Sequence, residues 1–208
     1  MSWQQQALKW GSPAVVAIIG GVFAIEGGFI DHPSDPGGAT NHGVTEKVAR
    51  KHGYRGDMRA LPKDEAARIY NTDYIVKPGF TPLVDLSKPV AEEVIDSGVN
   101  AGPPQPSRWL QIALNSLNRR GADYPNIAVD GKVGPGTLAA YRNLQRKRGA
   151  AAACEMVVKL LDAQQAAHYL RLASNDNAYE DFMPGWTMNR LGNVDFRDCR
   201  TKTTGGHS

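Results

Sequence analysis

Glu26 stands at the end of an uncharged run, Trp10 to Ile25, and is followed at once by Gly27 and Gly28. A carboxyl beside apolar residues is costly to ionise, so its proton is available for chemistry. The two glycines let the backbone turn sharply and leave room beside the acid for a substrate. Nine residues on lies Asp35, and five further Thr40, in a loop stiffened by prolines and loosened by glycines. A proton-holding Glu with a second carboxylate and a hydroxyl nearby suits glycoside cleavage: the Glu protonates the leaving oxygen and the second group stabilises or activates what attacks. Spacing alone also admits plainer roles, with Glu26 as a helix-end residue meeting water, Asp35 in an Asx-turn and Thr40 as a cap hydroxyl. Asp31 and His42 share the loop, and a loop histidine needs no function.

The elements that must hold these groups read as helices. Ser12 is placed to cap a helix that opens at Pro13. Thr45 is placed to cap a short helix through His52, stopped by Gly53. Pro62 opens a helix, PKDEAARIYNTDYIVK, that ends before Pro78, and GFTPLVDLSKP reads as a connector. A second half begins near Pro89 with a helix from Val90 to Ser97, then a helix capped by Ser107, then the turn at Asp130-Gly131 and a helix from Gly134-Pro135 to Gly149. Met156, Leu160, Ala163, Ala167 and Leu170 mark the apolar stripe of one long helix, Ala150 to Ala173. Strand signals are nearly absent, so the fold class is mainly α. The expected organisation is a catalytic region over 1–86, a helical region over 87–200 and a polar tail over 201–208.

The chain has 208 residues, a net charge of +3 and a pI near 8.9. Mild basicity favours anionic surfaces such as nucleic acid, membrane or cell wall without choosing among them. The cations Arg142, Arg146, Lys147 and Arg148 read as a solvated helix end rather than a nucleic-acid site, so no nucleic-acid partner is expected. Cys154 and Cys199 are too few for a metal cluster and are read as unpaired thiols in preference to a bridge. No His, Cys and carboxylate spacing fits a metal, no glycine-rich loop fits a phosphate, and no cofactor is expected. The run Trp10 to Ile25 carries two readings: a buried helix, or a signal-anchor giving transient inner-membrane association. The absence of a polar face argues against the first, and its sixteen residues against the second.

The pattern E-G-G-F-x-D-x-x-x-D-P-G-G-A-T-x-x-G-V-T, Glu26 to Thr45, resembles the signature of glycoside hydrolase family 108, the N-acetylmuramidases of phage endolysins and secretion-assisting muramidases. EAARIYNTDY, Glu65 to Tyr74, resembles the family's next helix. Leu110 to Gln145, with its V-D-G-x-x-G-P-x-T turn, and F-x-P-G-W-x-x-N-R, Phe182 to Arg190, resemble a peptidoglycan-binding module. The resemblance implies a lysozyme-like helical fold, bacterial peptidoglycan as partner, and hydrolysis of the bond between N-acetylmuramic acid and N-acetylglucosamine. It implies Glu26 as general acid, with Asp35 and Thr40 holding the attacking water. An inverting outcome would follow if the carboxyl groups lie about 6.5 to 9.5 Å apart. Asp31, His42, Tyr74, Asn100 and Trp186 become candidate substrate-binding residues, with Asp130 also near the wall polymer. The sequence departs from the family at Ile75, where an aromatic is usual, which puts in doubt a sugar subsite on that helix.

The protein is expected to be a monomer that acts on the wall from the periplasmic side after synthesis in the host cytoplasm. Two rivals remain: a lytic transglycosylase, and a non-catalytic peptidoglycan-binding or secretion-assisting protein.

Overall fold

The structure is a computed structural model that describes residues 1–9, 11–26, 28–31 and 38–200, with the backbone alone for Ile25 and Glu26. It is mainly α-helical and divides into two compact units, Met1–Val76 and Lys77–Ser208.

The first unit contains α1 (Trp3–Ala7), α2 (Pro13–Glu26), a hairpin of β1 (Thr40–Asn41) and β2 (Val44–Thr45), then α3 (Glu46–Lys51) and α4 (Lys63–Tyr70). α2 starts where the sequence expects, with the Val15 amide donating to Ser12 Oγ at 3.3 Å and Pro13 opening the helix. It buries Val15, Val16, Ile18, Ile19, Val22 and Phe23. Each such side chain is worth roughly 1.5–3 kcal/mol when fully buried. Its outer face is Pro13, Ala17, Gly21 and Ala24, so small residues stand where a polar face was sought. The signal-anchor reading finds no support. Among the described residues no helix is long and apolar enough to cross a membrane. The fourteen residues of α2 extend only about 21 Å against a hydrocarbon core of roughly 30 Å. Trp10 lies outside the described residues.

The helix expected from Pro62 onward changes character at Tyr70, and Asn71–Val76 continues it as a π-helix. Thr72 Oγ1 donates to the Arg68 carbonyl at 2.8 Å, a side chain competing for the oxygen an α-helical amide would use. Ile75 is fully buried there, so the residue at the family's usual aromatic position serves the core.

The second unit contains α5 (Thr81–Leu86), α6 (Lys88–Ala101), α7 (Pro104–Leu117), α8 (Pro135–Arg148), α9 (Ala150–Asn175) and α10 (Met183–Asn189). α6, α7 and α8 pack around α9. The segment read as a connector contains α5, whose Leu83 and Val84 are buried. Ser107 is not a cap: α7 already begins at Pro104, because prolines fit a first turn whose amides have no intrahelical acceptor. Its hydroxyl instead donates to the Pro103 carbonyl at 2.8 Å. α9 exists as expected, but its buried stripe is Cys154, Val157, Val158, Leu161, Gln165 and Tyr169, while Ala163, Ala167 and Leu170 face solvent. The reading of two free thiols is also overturned. Cys154 at the start of α9 and Cys199 in a turn packed on it form a disulfide, their Cα atoms 5.6 Å apart. Forty-five positions of sequence separation gave no sign of that proximity.

Candidate functional site

Position 26 is the last of α2, a helix that buries Val15, Ile19 and Val22. Its side chain, together with Gly27 and the segment containing Asp35, lies outside the described residues. The frame around them is well defined. Ile30 and Thr40 exchange two backbone hydrogen bonds, 2.8 and 2.7 Å, which closes the loop between them. Thr40 is thereby fixed at the loop's exit, and it pairs with Thr45 across the hairpin. Gly38 has φ +75°, and a Cβ there would lie 3.1 Å from Glu46 Oε2, so a side chain at this position would be strained. Thr45 caps α3 through the Val48 amide at 3.4 Å, as its type suggested.

The hairpin turn is His42-Gly43, with φ of 51° and 72°, the left-handed pair that a two-residue hairpin favours. Asn41 secures it from below, donating from Nδ2 to the Met58 carbonyl at 2.7 Å. Burial, then the nearby Lys63 ammonium, lowers the His42 pKa from 6.5, against a backbone bond to Leu61 that raises it. The imidazole is therefore neutral at pH 7, packed 5.9 Å from the Phe23 ring. Asp31 is exposed, its carboxylate 3.9 Å from Arg59, whose guanidinium lies 4.8 Å over Phe29.

Phe23, one helical turn before Glu26, is a residue the sequence reading missed. It meets Trp3 at 5.5 Å, His42, and the edge of Tyr70 at 5.4 Å, and Tyr70 stacks on Tyr74 at 5.2 Å. His42 and Tyr74 thus join one aromatic chain near the end of α2. The i−3 spacing from Glu26 was the available signal. His52 was also missed as a brace: its Nε2 lies 2.8 Å from Asp73 Oδ2, tying α3 to the π-helix that carries Tyr74. A groove of about 650 Å³, lined by Trp3, Leu8, Pro13, Ala17, Gly20 and Lys63 among others, follows the outer face of α2. Ala24 on that groove is roughly 160° around the axis from position 26.

Asn100 and Trp186 belong to the second unit and are brought together through Tyr169. Asn100 Nδ2 donates to Tyr169 Oη at 3.0 Å, and the Tyr169 ring stacks on Trp186 at 4.6 Å. Gln165 Nε2 adds a second bond to the same oxygen at 2.8 Å. Burial raises the Tyr169 pKa, so the phenol stays protonated. Asp130 is a turn residue: Gln111 donates to it at 2.8 Å and the Lys132 amide at 2.9 Å, bonds that hold its pKa below 3.8.

Residues 19–102 match the family model of glycosyl hydrolase 108, and residues 105–191 match that of a predicted peptidoglycan domain. The first match runs beyond Val76 and takes in α5 and α6. A solved structure described as that of Brucella abortus SagA is similar at 26% identity with a TM-score of 0.61, over 92% of this chain and 97% of that one. No curated protein matches the chain. The chain thus carries a region similar to glycosyl hydrolase 108 followed by one similar to a predicted peptidoglycan domain, and the two matches together indicate a glycoside hydrolase acting on peptidoglycan.

Proposed function

We propose that this enzyme is an endolysin-type N-acetylmuramidase, hydrolysing the bond between N-acetylmuramic acid and N-acetylglucosamine with Glu26 as general acid. The observation that carries the reading is the position of Glu26: the terminal residue of an apolar helix with one face buried, followed by glycine, within the matched hydrolase region. Asp35 and Thr40 are assigned to the attacking water. Thr40 suits that task because both its backbone groups are already bonded to Ile30, so its hydroxyl starts from a fixed frame. Asp31, His42 and Tyr74 are assigned to the walls of the cleft, and Asn100 and Trp186 to contacts with the polymer.

In hydrolysis Glu26 gives its proton to the bridging oxygen as the anomeric bond breaks, and water, losing a proton to the second group, completes the new hemiacetal. The disulfide between Cys154 and Cys199 supports a place of action outside the reducing cytoplasm, as expected for an enzyme of the cell wall.

Turbidity of purified walls, measured with the wild type and Glu26→Gln side by side, tests the assignment. General acid catalysis supplies roughly 100- to 10,000-fold, so the variant should clear walls at least about a hundredfold more slowly. Equal clearing would reject it. Mass spectrometry of the released fragments should show products heavier by one water than the 1,6-anhydro ends that a transglycosylase leaves.

A further inference from the structure

The second unit carries a ladder of rings that the packing of α9 alone does not require. Its innermost rung, Tyr169, is 1% exposed and held through Oη by Asn100 and Gln165. Trp186 lies on it at 4.6 Å and 24°, and Phe182 lies on Trp186 at 5.7 Å and 21°. Tyr179 joins at 6.1 Å. The rings run from buried to open: Trp186 is half-buried, Tyr179 is 37% exposed and Phe182 is 56% exposed.

The segment bearing these outer rings is anchored at both ends. Asp176 caps its first turn through the Ala178 amide at 3.0 Å. Arg190, just after α10, donates to Asp96 at 2.6 Å in a buried pair. Little conformational entropy is therefore left to lose when a ligand covers the rings. Its charge selects the ligand. Between Arg171 and Arg190 the chain has Asp176, Glu180 and Asp181 and no Lys or Arg, although the whole chain is +3. All three acids are exposed. Such a rim repels polyanions and anionic lipid, while its carboxylates accept from hydroxyl and amide N–H donors. A pyranose has an apolar face for a ring and such donors at its edge, and an N-acetylated amino sugar adds an amide.

We propose that Phe182, Tyr179 and Trp186 form an accessory binding platform for the N-acetylated amino sugars of the glycan strand, with Glu180 and Asp181 at its polar rim. Tyr169, Asn100 and Gln165 are positioning residues that hold the ladder from beneath. The platform gives the predicted peptidoglycan domain a ligand class, glycan rather than stem peptide. It rests on the muramidase reading only in taking wall glycan as the available partner.

The test uses the full chain carrying Glu26→Gln, so that the polymer is not consumed. Retention is measured on chitin, an uncharged polymer of N-acetylglucosamine, because wall glycan stripped of its stem peptides bears a free lactyl carboxylate on every muramic residue; soluble stem peptides and anionic phospholipid vesicles are the competitors. Adding Phe182→Ala and Tyr179→Ala should weaken retention roughly tenfold, about what the loss of stacking contacts predicts. Phe182→Tyr with Tyr179→Phe, which keeps both rings, should restore it. Thermal melting monitors folding, which truncation of these exposed rings should leave intact. Unchanged retention in the alanine variant, or binding displaced by stem peptides or vesicles, overturns the platform. Failure of the muramidase reading looks different: the wild type would release no reducing ends from walls, while ring-dependent retention would persist.

Discussion

The two units bury polarity in different amounts. Among the described residues, twelve polar or charged residues are buried, and only Asn41 and Asn71 of these belong to the first unit. The other ten, including Glu93, Asp96, Gln111, Gln165 and Arg190, lie in the second. The first unit is organised by apolar α2 and the rings that meet at Phe23. The second is held by a network in which Asp96 binds Arg190 and Asn193, and Asp162 accepts from the Gly192 amide at 2.9 Å. Burial of apolar surface is forgiving of substitution, whereas a buried charge tolerates little change in its partners. The second unit should therefore be the one that single polar substitutions damage most.

An arginine removed from each unit tests this directly. Arg190 and Asp96 have side chains 8% and 6% exposed at 2.6 Å. Arg190→Ala leaves a buried carboxylate without its guanidinium and should cost roughly 3–5 kcal/mol in chemical denaturation. In the first unit, Arg59 and Asp31 are 67% and 56% exposed at 3.9 Å. Arg59→Ala should cost less than about 1 kcal/mol. Similar losses from the two substitutions would end the contrast.

The disulfide gives a second, smaller measure. A bridge spanning 45 positions limits the unfolded chain by up to about 4 kcal/mol, and measured values fall at roughly 2–4 kcal/mol. Replacing Cys154 and Cys199 together by serine should lower the stability of the second unit by that amount. A loss under about 1 kcal/mol would mean that the polar network alone fixes the end of the chain onto α9.

The same contrast explains what could be read from the sequence. Local signals held: Ser12 and Pro13 open α2, Thr45 caps α3, and Gly149 ends α8 with φ +82°. The face of α9 was unreadable because polar Gln165 and Tyr169 point into the core while alanines point out of it, so hydrophobicity has no direction around that helix. The hairpin escaped notice because each strand is two residues long, too short to alternate. In the candidate site, the motif singled out Glu26, Asp31, Asp35 and Thr40 as candidates. The partners that connect Asn100 to Trp186 were hidden, since Asn100 and Tyr169 are 69 positions apart and no local pattern joins them. Phe23 was visible only as one more apolar residue of α2, although its place one turn before Glu26 makes it the hub of the rings around His42 and Tyr70.

Acid and base should act on the units in opposite directions, and this is the smallest effect expected. Glu93 is 1% exposed on α6, with Asp162 on α9, and Asp96 and Glu92 on its own helix, while Ser97 donates to it at 3.3 Å. Burial, then the charges of Asp162 and Asp96, raises its pKa well above 4.5. The native state then holds a proton that the unfolded chain has released, so this contribution is complete below 4.5 and is lost as pH rises through the native value. His42 behaves the other way. Its pKa is lowered from 6.5, so the unfolded chain takes up a proton first and stability falls as pH drops below 6.5. Glu93→Gln, which keeps the shape without the charge, should flatten the loss of stability toward alkaline pH. His42→Asn, tolerable at a left-handed φ of 51°, should flatten the loss toward acid. Melting temperatures of both variants between pH 5 and pH 9 read the two slopes, and a Glu93→Gln protein that loses stability toward alkaline pH as steeply as the wild type would show that Glu93 is already ionised in the native core.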